Sequence, residues 1–267
     1  MSCARSMPAS PVDVHYRVEG QPGAPVLVLS HAMGTSMDLW EPQMPRLLHN
    51  FRVVRYDHRG HGRSPIPPGP YQLRDLGRDL LTLLDRLELA RVSFCGISLG
   101  GMVGLWFAAH EPARLDRLVI CCAAPRMLHP EDYAARAETV RRDGMASVAD
   151  AVLARWFTSN FMSSQPDTVE SIRRLLVSTP PEGYAATCEA LAEMDQGEDL
   201  PRIMAPTLVI AAEKDQSTPP EQSQEMAKRI PHARLAIIPA ASHLASIEQP
   251  EAVTGQIVEH LVKDSSP

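Results

Sequence analysis

A short apolar run, Val92-Ser93-Phe94, leads into Cys95-Gly96-Ile97-Ser98-Leu99-Gly100-Gly101 and on into Met102-Val103-Gly104-Leu105-Trp106. The centre reads G-x-S-x-G, with a strand-like stretch before it and a helix-like stretch after it. A turn this sharp forces strained backbone at the serine, and β-carbons on the neighbouring residues would collide with adjacent chain, so the flanking glycines are required. Such a turn lifts the Ser98 hydroxyl off the sheet edge. At ordinary Gly and Ser frequencies the pentapeptide arises by chance in about one chain in ten of this length, so its place in the pattern and its partners must carry the reading.

The surrounding pattern supports it. Near-continuous apolar runs at 25–29, 52–56, 92–95, 118–121, 207–210 and 235–238 read as buried parallel strands covered on both faces. Between them lie helical patterns, the clearest being Leu73, Leu76, Leu80, Leu83, Leu84 and Leu87 with charged residues opposite. Others run at 102–110, 221–228 and 251–261. The alternation predicts an α/β fold, a mostly parallel, doubly wound sheet. Residues 12–18 alternate apolar and polar and predict an antiparallel edge hairpin strand. From about 130 to 200 no strand is legible, and four helical patterns (133–142, 148–157, 168–176, 184–194) predict a helical cap insertion over the carboxyl ends of the strands, where such sheets bind ligands. The expected division is a core in two parts, 1–125 and 201–267, with the helical cap at 126–200.

Composition narrows the partners. A net charge of −6 with no Lys/Arg cluster argues against nucleic acid. Five cysteines with no C-x-x-C spacing suit reduced thiols in a cytoplasmic protein. Residues 1–10 lack the apolar core of a signal peptide, and no apolar run approaches the length of a membrane span. The 24 prolines are scattered at turns.

A serine needs a base to act as a nucleophile. Of ten histidines, His243 lies in the loop after the last strand and before the final helix. His110 ends the helix after Ser98, and His260 falls on the expected exposed side of the last helix. The loop after 207–212 supplies an acid, Asp215, with Glu213 as the alternative. The order Ser98, Asp215, His243 is that of one known class of triad. The expected oxyanion donors are the amides of Leu99 and Met33, with His31 ordering the loop 31–34 by hydrogen bonds. The loop 57–62 holds two histidines without a further ligand nearby and is read as structural, bracing the site through Arg59 and Asp57. No metal, nucleotide or flavin cofactor is expected.

These stretches resemble the α/β-hydrolase fold family, and within it the 3-oxoadipate enol-lactonases of the β-ketoadipate pathway. The resemblance spans about 12–263. It rests on Arg59-Gly60-His61-Gly62, Phe94-Cys95-Gly96, Ala205-Pro206-Thr207-Leu208-Val209-Ile210 and Ile247-Glu248-Gln249-Pro250, and most of all on the cap stretches Arg155-Trp156-Phe157-Thr158 and Thr179-Pro180-Pro181-Glu182-Gly183-Tyr184. It implies a small carboxylate-bearing lactone as substrate, Arg155 as its cation and Trp156 as an apolar wall. The chain departs from the family's usual Asn-Ser-Leu-Gly at His31-Ala32-Met33-Gly34, and at His58 and Leu99, beside the nucleophile. A carboxylesterase or perhydrolase, a carbon–carbon bond hydrolase and a low-turnover ligand-binding relative are the alternatives on the same triad.

Overall fold

The computed structural model describes residues 10–262. Seven strands form one sheet in the order β1-β3-β2-β4-β5-β6-β7. They are β1 (Tyr16–Glu19), β2 (Val26–Ser30), β3 (Arg52–Tyr56), β4 (Val92–Ile97), β5 (Leu115–Cys121), β6 (Thr207–Ala212) and β7 (Ala233–Ile238). All pairs are parallel except β1, which runs antiparallel along β3. The edge assignment of the first strand holds, but it is not a hairpin with its successor: β1 pairs with β3, Tyr16 opposite Tyr56. The chain steps from β2 to β3 on one side and to β4 on the other. The crevice between the carboxyl ends of β2 and β4 is therefore the topological switch point, the preferred ligand site of such sheets.

The central strands are buried on both faces, as their apolar runs require: β4 and β6 are buried throughout. β7 is different. It closes the sheet as an edge, and Leu235 and Ile237 are 37% and 46% exposed, so the expectation of full coverage fails there. An apolar run marks a strand but does not say how many neighbours the strand has.

The helices are α1 (Met44–Leu47), α2 (Leu73–Arg86), α3 (Leu99–His110), α4 (Pro130–Asp143), α5 (Ala146–Trp156), α6 (Ser159–Ser164), α7 (Pro166–Val177), α8 (Pro181–Glu193), α9 (Pro220–Arg229), α10 (Ala245–Glu248) and α11 (Pro250–Val262). α2 buries its leucine face; of the charges expected opposite, Asp85 is exposed but Asp75 and Asp79 are buried, Asp79 by its pair with Arg59. α3 is apolar nearly all round and buried accordingly. Five helices begin on a proline, where the missing N–H costs no hydrogen bond and the fixed φ suits the first turn. Five of the 24 prolines are thus helix starts. Helices α4–α8 fill the stretch between β5 and β6. Arg141 on α4 pairs bidentately with Glu182 and also with Glu189, tying α4 to α8.

Candidate active site

Ser98 sits between β4 and α3 with φ 54° and ψ −118°. The strain is held from both sides: its N–H donates to Cys121 O at 2.9 Å, and Gly100 N–H donates to His31 O at 3.1 Å. Both flanking glycines are obligatory by space. A β-carbon on Gly96 would lie 2.2 Å from the Gly100 carbonyl, and one on Gly100 would lie 2.2 Å from Ser30 O. This is the turn that the G-x-S-x-G run requires.

The three residues expected to cooperate are brought together from three loops. His243 lies between β7 and α10, and its Nε2 is 2.9 Å from Ser98 Oγ. Its Nδ1–H donates to Asp215 Oδ2 at 2.8 Å, which leaves Nε2 free to accept the serine proton. Asp215 follows β6 and is buried. Its Oδ1 accepts the N–H groups of Ser217 and Thr218 at 2.8 and 3.0 Å, and its Oδ2 also accepts the Thr218 hydroxyl at 2.8 Å. Four donors fix the carboxylate in place. Glu213, the alternative acid, is exposed and accepts Ala240 N–H at 2.8 Å, so it braces a loop instead. Thr218 is a member of the constellation that its sequence position, three residues past the acid, did not single out.

The loop after β2 is ordered as expected. Buried His31 donates from Nδ1 to Ala32 O at 2.8 Å and accepts His58 N–H at Nε2 at 3.0 Å. Burial pushes its pKa down to about 4, so the ring is neutral. Thr35 N–H and its hydroxyl also donate to Ala32 O, at 3.2 and 2.7 Å. Because a trans peptide sets C=O and N–H on opposite sides, anchoring the Ala32 carbonyl turns the Met33 N–H away from this cluster. The Leu99 N–H opens α3, where helix amides have no intrahelical acceptor. Asp57 caps both neighbouring turns, accepting Met37 and Arg63 N–H at 2.8 and 2.9 Å. Arg59 forms a buried bidentate pair with Asp79 on α2, at 2.6 and 2.7 Å. Among the described residues no cluster of His, Cys, Asp or Glu is arranged to hold a metal ion. His58 and His61 are buried, and burial holds both rings neutral.

His260 is buried, with Nε2–H donating to Pro206 O at 3.2 Å; it faces the sheet, because α11 packs along β6 and β7. The four cysteines of the described residues are free and buried, while Cys3 lies outside them.

A cavity of about 200 Å³ opens over Ser98 and His243. The sheet side contributes Met33, Met102 and Thr218. The helical insert contributes Tyr133, Arg136, Arg155, Trp156 and Tyr184. Arg155 and Trp156 therefore reach the cavity as expected. Arg136 was not legible, being one of several arginines on a polar helix; its signal is the i, i+3 spacing from Tyr133, whose ring it covers at 4.8 Å. Among the described residues no carboxylate lies within ion-pair distance of Arg136 or Arg155. Burial, and then the charge of Arg136, lower the pKa of Arg155. The buried Tyr184 hydroxyl lies against Arg136 but outside hydrogen-bond geometry.

Comparison with known proteins identifies the family. The alpha/beta hydrolase fold family matches residues 25–250. The chain is 38% identical to 3-oxoadipate enol-lactonase 2 of Acinetobacter baylyi, over 92% of each chain. It is 32% identical to the RutD protein of Stutzerimonas stutzeri, assigned by its name to carbamate hydrolysis, over 94% of this chain and 97% of that one. The crystal structure of an enol-lactonase from Burkholderia xenovorans LB400 superposes with a TM-score of 0.93 at 41% identity, covering 94% of this chain and 97% of that one. No helix among the described residues is long and apolar enough to cross a membrane. With a family match over most of its length and enol-lactonases among its relatives, the chain belongs to the alpha/beta hydrolase fold family and is a hydrolase.

Proposed function

We propose that this hydrolase opens a small carboxylate-bearing enol-lactone, 3-oxoadipate enol-lactone, to 3-oxoadipate through an acyl-enzyme, as a cytoplasmic step of aromatic catabolism. Helices α4–α8, within residues 126–200, act as the cap over a core made of 1–125 and 201–267. Ser98 Oγ attacks the lactone carbonyl while His243 Nε2 takes its proton, and Asp215 stabilises the imidazolium. The Leu99 and Met33 N–H groups receive the oxyanion. Collapse of the tetrahedral intermediate breaks the ring C–O bond. The enolate takes the proton from His243 and tautomerises to the ketone while still tethered. Water, deprotonated by His243, then attacks the acyl-enzyme; Ser98 recovers the proton as the diacid leaves.

The observation that carries the substrate class is the pair of half-buried guanidiniums, Arg136 and Arg155, that share one small cavity with the triad; exposed Asp132 lines the same cavity but lies outside ion-pair distance of both. Like charges set side by side away from water are stabilised by a bound anion. Trp156 adds an apolar wall. An uncharged ester leaves both cations unused, which favours an anionic substrate such as the lactone.

The test is steady-state turnover of 3-oxoadipate enol-lactone, generated in situ, by the protein and by Ser98→Ala, with p-nitrophenyl acetate beside it. Rapid Ser98-dependent lactone loss with far weaker ester turnover is expected. Ester turnover through Ser98 without lactone turnover keeps the triad and rejects the substrate.

A further inference from the structure

Glu248 ends α10, is 9% exposed and has no part in the reaction described above. Among the described residues it has no cationic partner. One of its oxygens accepts the Thr158 N–H at 2.7 Å and the Thr158 hydroxyl at 2.9 Å; the other accepts the Ser242 N–H. Removing a carboxylate from water without a cation is costly unless donors fill its lone pairs, and here three donors do so. All three come from two segments that matter. Ser242 immediately precedes the base His243, and Thr158 follows Arg155, Trp156 and Phe157.

Two further bonds join the same segments. The Ser242 hydroxyl donates to Arg155 O at 2.9 Å, and Leu244 N–H donates to Trp156 O at 3.0 Å. The residues on either side of His243 are thus stitched to the backbone that carries the cavity wall. The site requires an acceptor-only group: a glutamine would turn an N–H donor towards an N–H donor.

We propose that Glu248 is a positioning residue. It locks the wall segment 155–158 and the base loop 242–244 into one unit, so the clasp that sets the cavity wall also holds His243 Nε2 on Ser98 Oγ. The inference rests on the triad reading above.

The test measures p-nitrophenyl acetate and enol-lactone turnover by Glu248→Gln, Thr158→Val and Thr158→Ser, each normalised to sites titrated to endpoint with a fluorophosphonate. Displacing a reacting group by about 1 Å costs about 100-fold, so Glu248→Gln is expected to lower kcat on both substrates by about that factor, with KM for the acetate changed less than about twofold. Thr158→Val removes one donor of three and is expected to lower kcat about threefold, a loss that Thr158→Ser restores. A merely structural role lowers the melting temperature and the yield of titratable sites but leaves kcat per site intact. Unchanged kcat per site overturns the clasp, as does a loss confined to KM for the lactone. If Glu248→Gln does not fold, the two Thr158 variants decide the matter by the same readout. Turnover that survives Ser98→Ala instead overturns the triad reading, and so separates that failure from failure of the clasp alone.

Discussion

The sheet side of the molecule behind the cavity and the helical insert in front of it treat their polar groups differently. On the sheet side nearly every charge has its partner: Asp215 accepts four hydrogen bonds, Arg59 pairs with Asp79, and His31 uses both ring nitrogens. On the insert side, among the described residues, Arg136 and Arg155 have no carboxylate within ion-pair distance, and the buried Tyr184 hydroxyl lies against Arg136 outside hydrogen-bond geometry. A group that is satisfied within the fold is preorganised and costs little to hold still during a reaction. A group left unsatisfied at a cavity wall is stabilised by whatever binds there. The proposed function thus puts chemistry and selectivity in separate layers, one closed on itself and one open to a ligand.

The largest effects should come from opening the closed layer. Asp215→Asn keeps the shape but permits the wrong His243 tautomer, and kcat should fall by about 10⁴-fold on lactone and acetate alike. A fall on one substrate alone would mean that the layers are not separate. Next comes the open layer. Arg136→Ala and Arg155→Ala should each lower kcat/KM on the carboxylate-bearing lactone by about 10- to 100-fold, the usual range for a charge-assisted hydrogen bond, and leave p-nitrophenyl acetate within about twofold. Because the two cations repel each other, the double variant should lose less than the product of the single losses.

A smaller effect tests how tightly the sheet side is closed. Folded His31 titrates at about 4, below its unfolded value of about 6.5. Between those values the unfolded chain holds more protons, so stability falls as pH drops from about 6.5 towards 4. On this account His31 alone withdraws about 2 kcal/mol between pH 7 and pH 5. Urea unfolding of His31→Asn at the two pH values should show a pH dependence flatter by that amount; an unchanged slope would mean that His31 is not buried neutral. The smallest effect lies on the insert surface. Arg141→Ala breaks an exposed ion-pair cluster between α4 and α8 and should cost about 1 kcal/mol or less by the same assay.

What could be read along the chain followed from local rules. The turn at Ser98 was legible because its glycines answer a collision within a few residues, and the central strands because burial on both faces demands uninterrupted apolar runs. The order of Ser98, Asp215 and His243 was legible because loops at one end of a parallel sheet converge wherever the strands go. Edge position was not: β7 carries the same run as β6 but lacks a second neighbour, and pairing is a property of the whole sheet. For the same reason His260 reads as exposed on its own helix and is buried by β6 and β7. Thr218 gave no local signal and Arg136 only its i, i+3 spacing from Tyr133, since each matters only for what faces it across the cavity. The sequence by itself determined where the nucleophile turns, which loops hold its partners and which segment forms the insert, because those depend on neighbours in the chain. Only the tertiary structure decided which arginines stand without a carboxylate and which buried carboxylate joins the base loop to the cavity wall, because both depend on groups brought together from distant parts of the chain.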